Sequence, residues 1–289
     1  MTKLKVGIIG TGNIGTDLLY KSLKSDKIEP TLFMGKRNDS EGIQIAKRLG
    51  IPTSINSIEA LIHHPEQCDL VFDATTASAH YEHARILKRL GKKVIDMTPA
   101  RVGKMCIPAI NAQDCLNEDN INMVTCGGQA SVPIIKAVST AMNGRVRYAE
   151  VIATIASKSA GIGTRNNIDE FTQTTKDAII QIGKVNNAKA IIVLNPANPP
   201  ITMHNTIYLD VENPDMPRIS DSVHYMLKKV QEYVPGYAIS LEPTLENGHV
   251  VVMVQVTGAG DYLPAYAGNL DIISCAGVKM AEMWKEQSE

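Results

Sequence analysis

The chain has 289 residues, of which 44% are hydrophobic and 20% are charged, and its formal net charge at pH 7 is −1. This length predicts about two domains, each able to bury its own core, and the balanced charge excludes a bulk attraction to nucleic acid or to an anionic membrane. No stretch is apolar enough for a signal peptide or a membrane span, so we expect a cytoplasmic protein with reduced thiols.

Short apolar runs alternate with helix-like stretches over the first 125 residues. The pattern predicts strands at residues 5–9, 31–34, 70–72, 93–95 and 121–124, and helices at residues 13–24, 41–49 and 77–90. These strands are continuously apolar, which is typical of a parallel sheet covered on both faces. The alternation of strands and helices therefore predicts right-handed βαβ units and an α/β, Rossmann-type domain.

The pattern changes after residue 126. Helices are predicted at residues 130–142, 168–182, 220–234 and 270–285, and strands at residues 148–156, 190–194, 206–211 and 250–257. Long strands that are grouped rather than regularly alternated with helices favour an α+β domain on a mostly antiparallel sheet.

The turn between the first predicted strand and the first predicted helix has the spacing GxGxxG. Its residues are Gly10, Thr11, Gly12, Asn13, Ile14 and Gly15. Gly10 permits the tight turn, Gly12 lets the backbone approach a pyrophosphate, and Gly15 lets the helix pack closely on the strand. Since the helix N-terminus also offers free N–H groups to phosphates, the turn predicts a dinucleotide site.

The second predicted strand lacks the acidic residue that usually follows it in an NAD site. That acid binds the ribose hydroxyls, but here the strand is followed by Gly35, Lys36 and Arg37, and Asp39 comes late. Lys36 and Arg37 either meet a 2′-phosphate or belong to a solvated loop. The residues alone therefore leave NAD and NADP open.

Cys126 is the candidate nucleophile. The five cysteines are odd in number and have no CxxC spacing, which indicates neither a zinc site nor a disulfide framework. Cys126 precedes Gly127 and Gly128 between a predicted strand and a helix, where the helix N-terminus favours a thiolate and the glycines allow a backbone oxyanion hole. A thiolate there can add to an aldehyde, lose hydride to a nicotinamide and leave a thioester. We interpret the other four cysteines as packed residues.

A second glycine-containing loop follows the predicted strand at residues 148–156. It comprises Ser157, Lys158, Ser159, Ala160, Gly161, Ile162, Gly163, Thr164 and Arg165. Its backbone amides and two cations either hold an anionic cofactor or form a plain loop.

A general base for Cys126 is harder to locate. His80 and His83 lie three residues apart on a predicted helix, and we interpret them as surface residues rather than a metal pair; no metal site is predicted. Asp261 and Asn269 lie in turn-rich segments and are expected to shape the site or to cap the last helix.

Six segments, in order along nearly the whole chain, resemble the acylating acetaldehyde dehydrogenases, the coenzyme A-dependent enzymes that act beside a 4-hydroxy-2-oxovalerate aldolase in aromatic catabolism. They are GIIGTGNIG, VIDMTPARVG, VTCGGQAS, SKSAGIGTRNNIDEFT, IIVLNPANPP and GAGDYLPAYAGNLDI. The resemblance implies that acetaldehyde, or a short aliphatic aldehyde, is oxidised with NAD⁺ and coenzyme A to its acyl-CoA. It also implies NAD preference.

The same resemblance assigns roles to the candidate residues. It implies that Cys126 carries the acyl thioester, and that the turn at residues 11–14, the loop at residues 157–165 and Asn269 contact NAD. It implies a dinucleotide-binding domain of residues 1–125 plus 266–289, because the last helix returns to it. Residues 126–265 would form the catalytic domain of a homodimer, and an aldolase partner would pass acetaldehyde through an internal channel.

One position departs from the family's pattern. An Asp that is a candidate for assisting the cysteine is often found where this chain has Asn205. Because Asn accepts no proton at neutral pH, either Asn205 only orients groups, or His204 or a water takes the proton.

Two other functions compete with acylating oxidation. A semialdehyde dehydrogenase or acyl-phosphate reductase on the same architecture would use phosphate in place of coenzyme A and a substrate with a carboxylate. A non-catalytic dinucleotide sensor would bind NAD without turnover.

Overall fold

The computed structural model describes residues 2–161, 164–165 and 167–287. Within them the chain forms two sheets. The first has seven strands in the order β3-β2-β1-β4-β5-β7-β6, and all of its neighbouring strands are parallel. Its strands are β1 Leu4–Ile9, β2 Ile28–Met34, β3 Thr53–Ser54, β4 Leu70–Asp73, β5 Lys93–Asp96, β6 Lys104–Met105 and β7 Asn120–Asn122.

Helices connect these strands and cover the sheet. They are α1 Asn13–Lys24, α2 Glu41–Arg48, α3 Glu59–His63, α4 Ala77–Arg89 and α5 Pro108–Cys115. All four residues of β4 are buried, as expected for a strand covered on both faces. Since β2 lies on one side of β1 and β4 on the other, the strand order reverses at the carboxyl end of β1, which is where open α/β sheets bind ligands.

The second sheet has five strands in the order β11-β12-β10-β8-β9. They are β8 Val146–Ala156, β9 Asn187–Asn195, β10 Met203–Val211, β11 Tyr237–Glu246 and β12 His249–Val256. Only the β8–β9 pair is parallel, so the prediction of a mostly antiparallel sheet is confirmed. Strand β11 was not predicted, because it is half-exposed and its register with β12 shifts twice.

Three helices accompany this sheet and a fourth ends the chain. They are α6 Cys126–Ala141, α7 Ile168–Gln181, α8 Met216–Gln231 and α9 Gly268–Gln287. Helix α6 is almost entirely buried and contacts α8, α7 and α9. Helix α9 packs on α1 beside the first sheet, where Trp284 Nε1 donates to the Leu116 carbonyl at 2.7 Å. In the described part of the chain, no helix combines the length and apolarity needed to cross a membrane.

Helix α6 begins four residues earlier than the predicted start at residue 130. Thr125 is its N-cap, and the Thr125 hydroxyl accepts a hydrogen bond from Gly128 N at 2.9 Å. This cap satisfies a free N–H of the first turn and so offsets the poor helix propensity of the two glycines. Cys126 consequently lies inside the first turn of the helix and not in the loop before it.

Candidate active site

The loop between β7 and α6 leads directly into Cys126, the first residue of the helix, and is held by side-chain hydrogen bonds. Val124 has a positive φ of 61°, a conformation that is costly for a β-branched residue. Asn122 Oδ1 accepts from Val124 N at 2.9 Å, and the Thr125 hydroxyl also bonds the Thr175 hydroxyl at 2.7 Å. The position of Cys126 is therefore determined by contacts on both sides of the loop.

Cys126 lines a cavity beyond the carboxyl ends of the parallel strands. The cavity brings Cys126 together with three other predicted site residues, Ile14, Thr164 and Asn269. The loops that follow β4 and β5 complete it, together with apolar side chains. Its lining residues are Ile14, Thr75, Thr76, Ala77, Met97, Thr98, Pro99, Val124, Thr125, Cys126, Thr164, Asn167, Phe171, Asn269, Leu270 and Ile273.

The Cys126 thiol is not held as a thiolate. Its residue is only 8% exposed, and burial raises the pKa of the thiol to about 12, although backbone N–H groups of Gly127 and of Cys126 itself lower it. The expectation that the helix N-terminus would favour the thiolate is therefore wrong as a net effect, because desolvation outweighs the two N–H groups. The same donors remain directed at the sulfur, where an oxyanion would develop beside it.

Asn205 lies under the first turn of α6 and contacts the backbone and a side chain of that helix. Its Nδ2 donates to the Gly127 carbonyl at 3.2 Å and to the Ser131 hydroxyl at 2.6 Å. The side chain is fully buried, and its Oδ1 has no partner among the described residues. His204 points to the other face of β10, where it bonds Gln255 Oε1 at 3.1 Å. Asn205 thus orients the turn that carries Cys126, and the structure does not bring His204 to it.

The glycines of the GxGxxG turn meet different surroundings. A Cβ at Gly10, whose φ is 108°, would lie 2.4 Å from the Ala74 carbonyl oxygen, and one at Gly15 would lie 1.8 Å from the Gly10 oxygen. A Cβ at Gly12 would have no described heavy atom within 4 Å. Gly10 and Gly15 are therefore required by packing, whereas Gly12 faces open space.

The rest of this turn faces a second, more open cavity. It is formed by the turn, by the loop after β2 with the start of α2, and by Tyr262. Its lining residues are Thr11, Gly12, Asn13, Lys36, Arg37, Ser40, Glu41, Gly42 and Tyr262.

The loop after β8 is closed by one of its own side chains. Arg165 Nη2 donates to the carbonyl and the hydroxyl of Ser157, both at 2.8 Å, and Arg165 Nε donates to the Ala160 carbonyl at 3.1 Å. Arg165 therefore shapes the loop, which presents Thr164 to the Cys126 cavity. Ser159 and Ala160 are buried and Lys158 is exposed; Ile162 and Gly163 lie outside the described residues.

The interpretation of His80 and His83 as surface residues is wrong. Both are buried, and their Nδ1 atoms lie 2.8 and 2.9 Å from Asp73 Oδ2. Burial lowers the pKa of His80, but the bond to Asp73 and the charge of Asp96 raise it above its ordinary value. The two bonds likewise hold the pKa of Asp73 far below its usual range against burial. Asp73 needs these donors because it is fully buried at the end of β4.

Three buried polar residues that the sequence analysis did not predict as site residues bond the loops that line the cavity. Asp73 accepts from Thr75 N at 3.2 Å, Asp96 accepts from Thr98 N at 2.8 Å, and Asn122 Nδ2 donates to Asp96 Oδ2 at 2.8 Å. Burial raises the pKa of Asp96 to about 6. Each of the three is the last residue of β4, β5 or β7. A polar residue directly after a predicted parallel strand is the sequence pattern that would have indicated them, because open α/β sheets bind ligands at the carboxyl ends of their strands.

A buried lysine joins α1 to the segment before and within α9. Lys21 Nζ lies 2.7 Å from both Asp261 Oδ2 and Asp271 Oδ1, and 3.7 Å from Asp17 Oδ2. Asp261 thus ties the segment before α9 to α1 and lines neither of the two cavities, whereas Asn269, in the first turn of α9, faces the Cys126 cavity.

Comparisons with known proteins agree with this geometry. Residues 126–264 match a family described as prokaryotic acetaldehyde dehydrogenase, dimerisation, and residues 5–117 match the NAD binding domain of semialdehyde dehydrogenase. The acetaldehyde dehydrogenase of Bacillus cereus is 50% identical over 99% of this chain and 95% of its own length, and that of Pectobacterium atrosepticum is 50% identical over 97% and 95%. The solved structure of aspartate semialdehyde dehydrogenase II from Vibrio cholerae superposes with a TM-score of 0.66 over 99% of both chains; at 12% identity it shows the fold alone.

Proposed function

Because this chain belongs to the acetaldehyde dehydrogenase family, we propose that it oxidises acetaldehyde, or another short aliphatic aldehyde, to its acyl-CoA with NAD⁺ and coenzyme A. The observation that carries the proposal is the single cavity in which Cys126 meets Ile14 of the GxGxxG turn and Asn269 of α9. A nucleophile and a dinucleotide turn at one cavity are what hydride transfer from a cysteine-bound aldehyde requires.

The residues present fit a nicotinamide dinucleotide. Gly12 leaves open space for the pyrophosphate, and the first turn of α1 points free N–H groups toward it. Asn269 is 1% exposed and lines the cavity, yet its Oδ1 has no partner among the described residues. A buried acceptor without a donor is expected to meet one from a ligand, and a nicotinamide carboxamide supplies it. When bound, NAD⁺ provides the hydride acceptor.

Cys126 is proposed as the nucleophile. Its sulfur adds to the aldehyde carbon while the thiol proton ends on the carbonyl oxygen, which gives a thiohemiacetal. Loss of hydride from the carbon and of the hydroxyl proton to water leaves a thioester on Cys126. The thiol of coenzyme A then takes the acyl group, and Cys126 recovers its proton.

The backbone N–H groups of Cys126 and Gly127 are proposed to stabilise the developing oxyanion. The described residues that line the cavity include no carboxylate and no imidazole. We therefore propose that water, rather than a side-chain base, relays the thiol proton to the carbonyl oxygen.

The test is the coenzyme A dependence of NADH formation from acetaldehyde. Turnover should require coenzyme A, and robust turnover without it would contradict the acylating mechanism. Cys126→Ser should abolish turnover and retain NAD⁺ binding, measured by calorimetry. Cys68→Ser, which alters a buried cysteine two residues before β4, is the matched control and should retain turnover.

A semialdehyde dehydrogenase or acyl-phosphate reductase is the second candidate, favoured by the match of residues 5–117. Its substrate carries a carboxylate, which calls for a cationic side chain. Among the described residues that line the Cys126 cavity there is no Lys or Arg, whereas Val124, Phe171 and Ile273 are apolar. Activity with phosphate and a charged semialdehyde would favour this candidate over the first.

The proposed assembly is a homodimer formed through the second sheet, and an aldolase is the proposed partner. The match of residues 126–264 to a dimerisation family supports the dimer. So do Val193 on β9 and Tyr208 on β10, both 39% exposed large hydrophobic residues on this sheet. Light scattering after size exclusion tests the dimer, and co-elution with a 4-hydroxy-2-oxovalerate aldolase tests the partner.

A further inference from the structure

The loop between β2 and α2 lies beside the GxGxxG turn, at the end of the site where the adenosine of a dinucleotide is expected. Strand β2 pairs with β1 up to Met34, opposite Ile9, and the Gly10 amide donates to the Met34 carbonyl at 2.9 Å. Residues 35–40 therefore start at the same edge of the sheet as the turn itself. In this fold the residue at the end of the second strand meets the ribose 2′ position.

Two close backbone approaches and one hydrogen bond hold this loop beside Thr11. A Cβ at Gly35 would lie 2.6 Å from Thr11 Cγ2, and one at Gly42 would lie 2.5 Å from the Thr11 carbonyl oxygen. Between them, the Ser40 hydroxyl donates to Thr11 Oγ1 at 3.1 Å while it caps α2 by accepting from Ile43 N. The backbone at Lys36 and Arg37 is thus held next to the turn at both ends.

The charges on this loop suit an anion. Lys36 and Arg37 both line the cavity beside Thr11 and Gly12, with Glu41 as the one carboxylate among its described lining residues. Asp39 is absent from that lining, and its carboxylate lies 3.8 Å from Arg37 Nε in a pair whose side chains are 75% and 83% exposed. Such an exposed pair is weak, so the Arg37 guanidinium is available to a phosphate.

We propose that Lys36 and Arg37 form a 2′-phosphate subsite, so that the protein binds NADP⁺ at least as tightly as NAD⁺. The inference rests on the proposed function for the identity of the cofactor class and refines which member is bound. An Arg at this position accommodates a 2′-phosphate where an acid would bind the free ribose hydroxyls, and a guanidinium can hold phosphate through two parallel hydrogen bonds.

Calorimetric titration with 2′,5′-ADP and 5′-AMP isolates the subsite, because the two probes differ only in the 2′-phosphate. We expect 2′,5′-ADP to bind at least about tenfold more tightly, the ratio that one charge-assisted hydrogen bond provides. In the double variant Lys36→Ala/Arg37→Ala this ratio should fall to about one. Arg48→Ala, which removes an exposed cation from α2 outside the cavity, is the matched control and should leave the ratio unchanged.

The rival arrangement has Glu41 binding the ribose hydroxyls of NAD⁺. It predicts that Glu41→Gln weakens 5′-AMP and that 2′,5′-ADP binds the wild type no better than 5′-AMP; that result would overturn the proposal. An unchanged ratio in the double variant would overturn it as well. If the probes follow the expected pattern but neither NAD⁺ nor NADP⁺ supports acetaldehyde oxidation, the subsite stands and the proposed function fails.

Discussion

Replacing Asn122 by alanine tests whether its side chain shapes the loop that precedes Cys126. The side chain is fully buried and makes three hydrogen bonds. Its Nδ2 donates to Asp96 Oδ2 at 2.8 Å and to the Thr98 carbonyl at 2.7 Å, and its Oδ1 accepts from Val124 N at 2.9 Å. Two neutral bonds of about 1 kcal/mol each and one bond of about 2 kcal/mol to a carboxylate give a loss of about 4 kcal/mol in the free energy of unfolding. That is a large part of the usual stability of about 5–15 kcal/mol.

The same substitution should reduce turnover through the backbone of Val124. Its φ of 61° costs about 1–3 kcal/mol for a β-branched residue and persists only while neighbouring contacts hold it. Without the Asn122 bond the loop is expected to relax toward extended φ and displace Cys126, lowering kcat by about 10- to 100-fold. Steady-state kinetics measures kcat. Unfolding by urea, at a temperature below the thermal transition, measures the free energy of unfolding.

The control is the double variant Asn122→Ala/Val124→Gly. Glycine adopts a positive φ without strain, so the second change should restore part of kcat while stability stays low. If Asn122→Ala kept kcat within about threefold of the wild type despite its lower stability, the three hydrogen bonds would serve folding alone and the positioning argument would be refuted.

Three further predictions follow from buried polar groups. Burial raises the pKa of Cys126 to about 12, so its labelling by iodoacetamide, followed by peptide mass spectrometry, should rise about tenfold per pH unit from pH 7 to 9; a plateau below pH 8 would contradict this. Asn205→Asp puts a carboxylate against the Gly127 carbonyl that Asn205 now donates to, so we expect lower thermal stability and no gain in kcat; a faster variant would show that a base had been lacking. Lys21→Met removes the ammonium that Asp17, Asp261 and Asp271 share, although Asp261 keeps its pair with Lys24, and should cost about 3–5 kcal/mol. Burial raises the pKa of Asp17 to about 6, so this carboxyl takes up a proton as the pH falls and no longer needs the ammonium. Melting curves should therefore show a smaller loss at pH 5 than at pH 8, and equal losses would disprove the charge argument.

Five of the seven strands of the first sheet could be predicted because each contains its own apolar run, whereas the two-residue strands β3 and β6 contain none. Continuous apolar runs predicted strands at residues 70–72 and 93–95, and the structure extends each by one residue, to Asp73 and to Asp96. A carboxylate interrupts an apolar run even when it is buried, so each predicted strand ended one residue before it. The carboxylates are tolerated at these positions because His80, His83 and Asn122 bring donors from α4 and β7.

The position of the dinucleotide turn and the setting of Cys126 between a strand, two glycines and a helix could be deduced from the sequence alone. Both depend on residues within a few positions of one another, and backbone geometry relates such neighbours directly. The protonation of Cys126, the burial of the two histidines and the role of Asn205 were decided only by tertiary structure. Asn205 bonds Gly127 across 78 positions, and Lys21 meets Asp271 across 250. The desolvation and ion pairing of a titratable side chain depend on which distant elements pack against it. A local sequence pattern does not specify that packing.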